Sequence, residues 1–378
     1  MKRKVCIIDG SIATGLGDTL EENWKALCDG KSAIAELKHF STENLEHHKA
    51  ACVKGLHEGA FENRILELAE RAIKQLSNVP ENSFVIWTGV KENVEHIESK
   101  AAGRKYDRMT LPNEYRQHIA NQLKLNSGGM EINAACASST VGIAMAAQLI
   151  SEGKCSSAIV CAADIVSRFV FTGFSALKAL SPTVCRPFDE KRDGLALGDG
   201  AAAIVLMATD KAIAQGLKPM AEVSGWGIAN DANHITGPAR DGCGLSDAIN
   251  ATLKMADASP SDIEAFCAHG TGTVYNDGME LSAIENIFGK RKFPIFSIKG
   301  AIGHTLGAAG AIEALTCAKA ISEKTVPPTA GLKAPEARAQ GRASQLSQTI
   351  PGKNILTSNS GFGGINAALL LTETGKIE

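Results

Sequence analysis

Two near-continuous apolar runs, SAIVCAA at 157–163 and AAAIVLM at 201–207, have no polar face to turn toward water. Runs of this length and β-branched content read as strands buried on both faces, which require covering helices on each side. The rest of the chain supplies them. VCIID (5–9) and SFVIWTG (83–89) read as strands, and LEENWKALCDG (20–30) reads as an amphipathic helix ended by Gly30. After KAIAQGLKPM the alternation restarts. AEVSGWGIA is predicted as a strand, GCGLSDAINATLKMADA as a helix, and IEAFCAHG as a strand ending at His269. LSAIENIFG follows as a helix, FPIFSIKG as a strand and GAAGAIEALTCAKAISEK as a long helix, with NILTSNSG and NAALLLTE as closing strands. Strand–helix alternation of this kind argues a layered α/β fold. The restart near residue 217 predicts two halves of similar architecture, 1–216 and 217–378. The more polar stretches 33–80 and 95–126 read as cap insertions on the first half.

Composition narrows the function. The chain carries 39 basic and 41 acidic residues, a net charge of −2, so no global field favours nucleic acid. No apolar run approaches the roughly 20 residues of a membrane helix, and the stretch after the basic start MKRKVCIIDG stops at Asp9, which suits a first strand better than a leader. The 10 cysteines are scattered and form no CxxC pair, which removes the usual zinc and thioredoxin-type signatures and fits reduced thiols in a cytoplasmic protein. GFGGINAALLL does not follow a strand and open a helix, so dinucleotide binding is rejected. GLALGDGA is followed by no GK[ST], so a P-loop is rejected as well.

Three segments carry residue types that do chemistry. Cys136 sits where the β-type MEINAA meets the small-residue helix STVGIAMAAQLI. Amides at a helix start lower a thiol pKa and bind an oxyanion, and small neighbours let a substrate reach the sulfur. His269, in CAHGTGTVYND, falls at a strand end beside the hydroxyls of Thr271 and Thr273. His304, in SIKGAIGHTLGAAGAIEAL, follows Gly303, with Lys299 five residues before it and Glu313 nine after. Taken singly, the cysteine also reads as a buried inert thiol, each histidine as a hydrogen-bonded structural residue, and Lys299–Glu313 as an ordinary ion pair.

Together with NWKALCDGKSAI near the start, AACASST at the cysteine, GFSALKALSPTVCRPFDEKRDGLALGDGAA in the middle and GFGGINAAL near the end, these segments resemble the β-ketoacyl-[acyl-carrier-protein] synthases of the elongation group, in family order over nearly the whole chain. The resemblance implies the thiolase fold, two related halves in a five-layered α-β-α-β-α sandwich. It implies a dimer, either of identical chains or with a related condensing-enzyme subunit, and an acyl carrier protein as partner, with no cofactor and no metal. Carried over residue by residue, Cys136 matches the nucleophile, His269 and His304 the two histidines, and Lys299 and Glu313 the lysine and its glutamate. Phe362 matches the gating phenylalanine, Asp277 a network aspartate, and Thr271 and Thr273 the threonines that contact the pantetheine arm. Lys178 matches a position that faces the carrier, and Arg104 and Lys105 lie where docking residues occur. Two departures stand out: NSGFGG is one residue shorter than the usual NSFGFGG, and Val274-Tyr275-Asn276 replaces the frequent Pro-Leu-Gly.

The implied reaction is a decarboxylative Claisen condensation in fatty acid or polyketide synthesis. Cys136 accepts an acyl group. The amides of Cys136 and Phe362 form an oxyanion hole. The two histidines stabilise the enolate left when malonyl-carrier loses CO₂. The alternatives are a non-catalytic chain-length-factor-like subunit, which would lack the nucleophile, and a CoA-dependent initiating synthase or thiolase.

Overall fold

The computed structural model describes residues 3–56, 63–103, 111–126 and 128–375. Ten strands among them make one sheet: β1 (Val5–Thr14), β2 (Phe84–Thr88), β3 (Gly129–Ile132), β4 (Ser157–Asp164), β5 (Gly200–Ala208), β6 (Ala221–Asn230), β7 (Ala265–Cys267), β8 (Ile295–Phe296), β9 (Asn354–Gly361) and β10 (Ile365–Thr372). Their order is β8-β7-β9-β10-β6-β1-β5-β4-β2-β3. Read outward from the centre, β1-β5-β4-β2-β3 and β6-β10-β9-β7-β8 are the same topology with every number raised by five. In each half the first two pairings are antiparallel and the outer two parallel. The halves meet through two residue pairs, Cys6 with Glu222 and Ile7 with Ala221.

The helices repeat as well. α1 (Arg64–Ile73), α2 (Pro112–Gln122) and α3 (Ser138–Ser151) belong to the first half, and α4 (Cys243–Ala256), α5 (Val274–Phe288) and α6 (Ala309–Glu323) to the second. Strand faces alternate between three apolar cores, as the period of two requires. On β4, Ala158, Val160 and Ala162 point into a central core shared with α3 and α6, whereas Ile159, Cys161 and Ala163 point into an outer core beneath α1 and α2. On β10, Leu369 and Leu371 enter the central core while Ala368 and Leu370 face α4 and α5. The result is the five-layered α-β-α-β-α sandwich that the family resemblance implies.

Several local expectations shift. β1 runs on to Thr14 through Asp9, Gly10 and Ser11, with a register break between Ile7 and Asp9. The Asp9 carboxylate accepts the amides of Gly10, Ser77 and Asn78, which satisfies the polar kink. FPIFSIKG yields only the two-residue β8, and a short helix, Lys299–Ile302, starts at the lysine. Ser297 Oγ takes the Lys299 amide and donates to the Gly270 carbonyl, and such side-chain bonds compete with a strand ladder. Parts of 33–80 and 95–126 expected as caps are the outer helical layer itself. Leu68, Ala69 and Ala72 of α1 and Tyr115 and Ile119 of α2 are buried against the sheet.

The central helices α3 and α6 cross closely because Gly310 has no side chain. A methyl there would run into Thr140 Oγ1 and Asn359 Oδ1. Gly310→Ala is therefore expected to lower the unfolding free energy by about 1–3 kcal/mol, the usual cost of overpacking. Urea unfolding measures this, and an unchanged midpoint would contradict the tight crossing.

Candidate active site

The turn between β3 and α3 presents the thiol. Ala135 takes a left-handed backbone with φ of 50°, a costly conformation for a residue with a side chain. Ser138 holds the turn, since its Oγ accepts the Ala134 amide at 2.9 Å and donates to the Ala135 carbonyl at 2.6 Å. Cys136 thus stands two residues before α3, at the positive end of the helix dipole. Gly361, at the end of β9, lies against this turn, where a Cβ would sit 3.2 Å from the Cys136 nitrogen. The amides of Phe362 and of Cys136 itself are turned toward the sulfur.

His304 Nε2 lies 3.0 Å from Cys136 Sγ. The chain reaches this point from the short helix Lys299–Ile302 through Gly303, with φ of 70°. The His304 amide and carbonyl are pinned to Ala196 and Gly198, at 2.7 and 3.0 Å. His269 follows β7, and its ring stands perpendicular to that of His304 with centroids 5.1 Å apart. The sulfur and one nitrogen of each imidazole fall within 4.8 Å of one another, so all three converge on one small volume. A thiol with two imidazoles is also a donor set that soft divalent ions accept.

Behind the histidines lies a buried polar network. Lys299 Nζ and Glu313 Oε1 form an ion pair in which each side chain is 1% exposed. Asn359 Nδ2 bridges Glu313 Oε2 at 2.7 Å and His269 Nδ1 at 3.0 Å. Burial together with the Lys299 charge pulls both histidines well below their ordinary value, and His304 adds to the effect on His269. Burial pushes the Cys136 thiol up to about 12, with Lys299 and the two amides pulling it back. The resting site is thus a neutral thiol beside two neutral imidazoles.

Asp277 is completely buried. It accepts the amides of Gly272 and Phe188 at 3.1 and 2.8 Å, and burial raises it to about 6. Thr271 and Thr273 join their hydroxyls at 2.9 Å on the wall of a cavity of about 480 Å³ that reaches Cys136, His269 and His304. Phe362 lies at the cavity, 38% exposed, with its ring stacked on Phe174 at 5.8 Å. Lys178 is exposed at the same cavity. Tyr275 and Asn276, from the departing Val-Tyr-Asn segment, also line it. Arg104 and Lys105 lie outside the described residues.

Three residues escaped the sequence reading. Glu280 accepts the amides of His269 and Gly270, each at 2.6 Å, and burial pushes it up to about 8. Its one sequence signal is position, three residues after Asp277 on the same face of α5. Asp164, at the end of β4, accepts the amide of Gly307 at 2.8 Å and rises to about 7 through burial. Asn359 is read in the sequence only as part of a closing strand.

A buried cysteine at a helix start, facing two imidazoles at the foot of a cavity, is an arrangement that suits acyl transfer to sulfur. The chain matches the beta-ketoacyl synthase N-terminal domain over residues 88–212 and the C-terminal domain over residues 220–333. It is 30% identical over 408 aligned residues to 3-oxoacyl-[acyl-carrier-protein] synthase 2 of Vibrio cholerae, covering 98% of this chain and 99% of that protein. Among solved structures, the ishigamide ketosynthase/chain length factor superposes with a TM-score of 0.90 at 28% identity, covering 99% of this chain and 100% of the other. A ketosynthase in complex with its chain length factor from Xenorhabdus doucetiae gives 0.83 at 26% identity, with 98% of each chain covered. The chain belongs to the beta-ketoacyl synthase family, and its fold is the thiolase fold. It is an acyltransferase of the condensing class that serves fatty acid or polyketide synthesis. No helix among the described residues is long and apolar enough to cross a membrane.

Neutral imidazoles make a spectroscopic expectation. Ordinary histidines titrate near about 6.5, whereas these two sit well below that value. Their ring resonances are expected to stay constant from about pH 8 down to about pH 6. A titration centred near the ordinary value in either ring would contradict the buried, Lys299-facing placement.

Proposed function

We propose that Cys136 carries an acyl group which is condensed with malonyl-acyl carrier protein to give 3-oxoacyl-acyl carrier protein. The observation that supports this best is the contact of 3.0 Å between the thiol and a neutral imidazole at the foot of the cavity. The sulfur attacks the carrier thioester, and the tetrahedral oxyanion takes the amides of Cys136 and Phe362. His304 receives the thiol proton and passes it to the departing carrier thiol. Malonyl-carrier then enters. Its C–C bond to the carboxylate breaks and CO₂ leaves, while the electron pair moves onto the thioester oxygen as an enolate. The Nε2–H of His269 holds that oxygen, and His304, whose Nε2 has given its proton to the carrier thiol, does so once its remaining ring proton has shifted from Nδ1 to Nε2. The enolate carbon attacks the acyl-cysteine carbonyl, the C–S bond breaks, and the Cys136 thiolate takes up a proton from solvent, which replaces the one given to the carrier thiol.

In this reading Lys299 and Glu313 orient the histidines, Asp277 holds the Gly272 turn, and Thr271 and Thr273 take the pantetheine arm. Phe362 gates the cavity. Lys178, with Arg104 and Lys105, receives the acidic carrier protein. The halves 1–216 and 217–378 act as two thiolase-like units, the first bringing the nucleophile and the second the histidines and Lys299. The partners are an acyl carrier protein and a second condensing-enzyme subunit, identical or related, in a cytoplasm that keeps the ten free thiols reduced. A chain-length-factor role does not need the retained contact between thiol and imidazole.

Half-reactions test this division of labour. Cys136→Gln is expected to abolish condensation and leave malonyl decarboxylation, because the amide mimics an acylated thiol. His269→Ala is expected to slow decarboxylation by about 10²–10³-fold, the usual loss of one positioned donor, and to spare acylation of Cys136. His304→Ala is expected to slow both. Equal and severe loss of both half-reactions in His269→Ala would contradict the assignment.

A further inference from the structure

We propose that Asn359 is a positioning residue which decides which nitrogen of His269 carries the proton. The proposal rests on the reading of His269 as an enolate donor. Asn359 is fully buried on β9 and satisfied on both edges of its amide. Its Oδ1 accepts the Thr140 hydroxyl from α3, the helix that begins at the nucleophile. Its Nδ2 faces Glu313 Oε2 at 2.7 Å and His269 Nδ1 at 3.0 Å.

The orientation follows from what each partner can do. A carboxylate oxygen only accepts, so the edge against Glu313 is the NH₂ edge. Lys299, paired to the other Glu313 oxygen, favours that carboxylate as an anion. One hydrogen of Nδ2 goes to Glu313, and the second points at His269. His269 Nδ1 therefore accepts and holds a lone pair, and its proton sits on Nε2. The relay runs Lys299 to Glu313, Glu313 from Asn359, and Asn359 to His269. It gives the buried ion pair a role at this place, where stability alone is a weak reason for one.

His304 differs. Its Nδ1 is buried with no hydrogen-bond partner among the described residues, while its Nε2 meets the thiol. Its Nε2 is thus placed to exchange a proton with Cys136. The two imidazoles are unequal: His269 is a fixed donor, and His304 is a proton carrier that also donates.

Two variants of the full chain, labelled with ¹⁵N-histidine, test the proposal. His269 is assigned by the signal lost in His269→Ala. In the unaltered protein His269 is expected as the Nε2–H form. Asn359→Asp keeps the size; its carboxyl shares a proton with Glu313, so the same oxygen can only accept on the side that faces His269, and Nδ1 is expected to become protonated. Asn359→Leu removes the donor, so both tautomers are expected, with malonyl decarboxylation slowed by about 10²-fold and Cys136 acylation slowed far less. If the leucine variant does not fold, the aspartate variant decides. An unprotonated Nδ1 in Asn359→Asp, or a His269 tautomer unchanged in a folded Asn359→Leu, would overturn the proposal. A changed tautomer with decarboxylation at full rate would uphold Asn359 as the positioning residue and overturn His269 as the enolate donor.

Discussion

An ammonium and a carboxylate meet at the centre of this molecule with almost no solvent around them. Taking Lys299 and Glu313 out of water costs several kcal/mol per ion before their attraction returns any of it. What surrounds them justifies the placement. The lysine charge is among the causes that depress both histidines and draw the Cys136 thiol down from where burial alone would put it. The glutamate orients Asn359, and through it His269. The Lys299 charge thus influences Cys136, His269 and His304 alike, and it works at this strength because the apolar core around it screens so little.

The internal repeat explains how these groups come together. β4, β9 and the start of α3 bring their ends to one face of the sandwich, and the two central helices cross directly beneath it. The first half contributes the turn at Cys136. The second contributes the ends of β7 and β9 and the loop at His304. Small residues make the convergence possible, since Gly310 admits Thr140 and Asn359, and Gly361 admits the cysteine turn.

Most strands were legible because their two faces are both buried, so uninterrupted apolar runs such as 157–163 and 201–207 mark them without ambiguity. The convergence of Cys136, His269 and His304 was legible because small residues and glycines surround them at element junctions. What the sequence hid was the polar interior. Asn359 within β9 and Asp164 at the end of β4 are concealed by apolar neighbours, and their hydrogen bonds reach partners more than 40 residues away. Glu280 looks like an ordinary helical glutamate until α5 is laid against the His269 turn. The helices in the stretches expected as caps were hidden for the opposite reason. α1 and α2 are amphipathic, and their charged outer faces mask the side that covers the sheet.

The central claim is that the sulfur of Cys136 is the atom that carries the growing chain. Incubation with an acyl-acyl carrier protein, followed by proteolysis and mass measurement of the peptides bearing all ten cysteines, addresses it most directly. The expected result is one acyl group, found on the peptide that contains Cys136 and absent from the Cys136→Ala protein. An adduct on any other cysteine, with the Cys136 thiol left free, would contradict the claim.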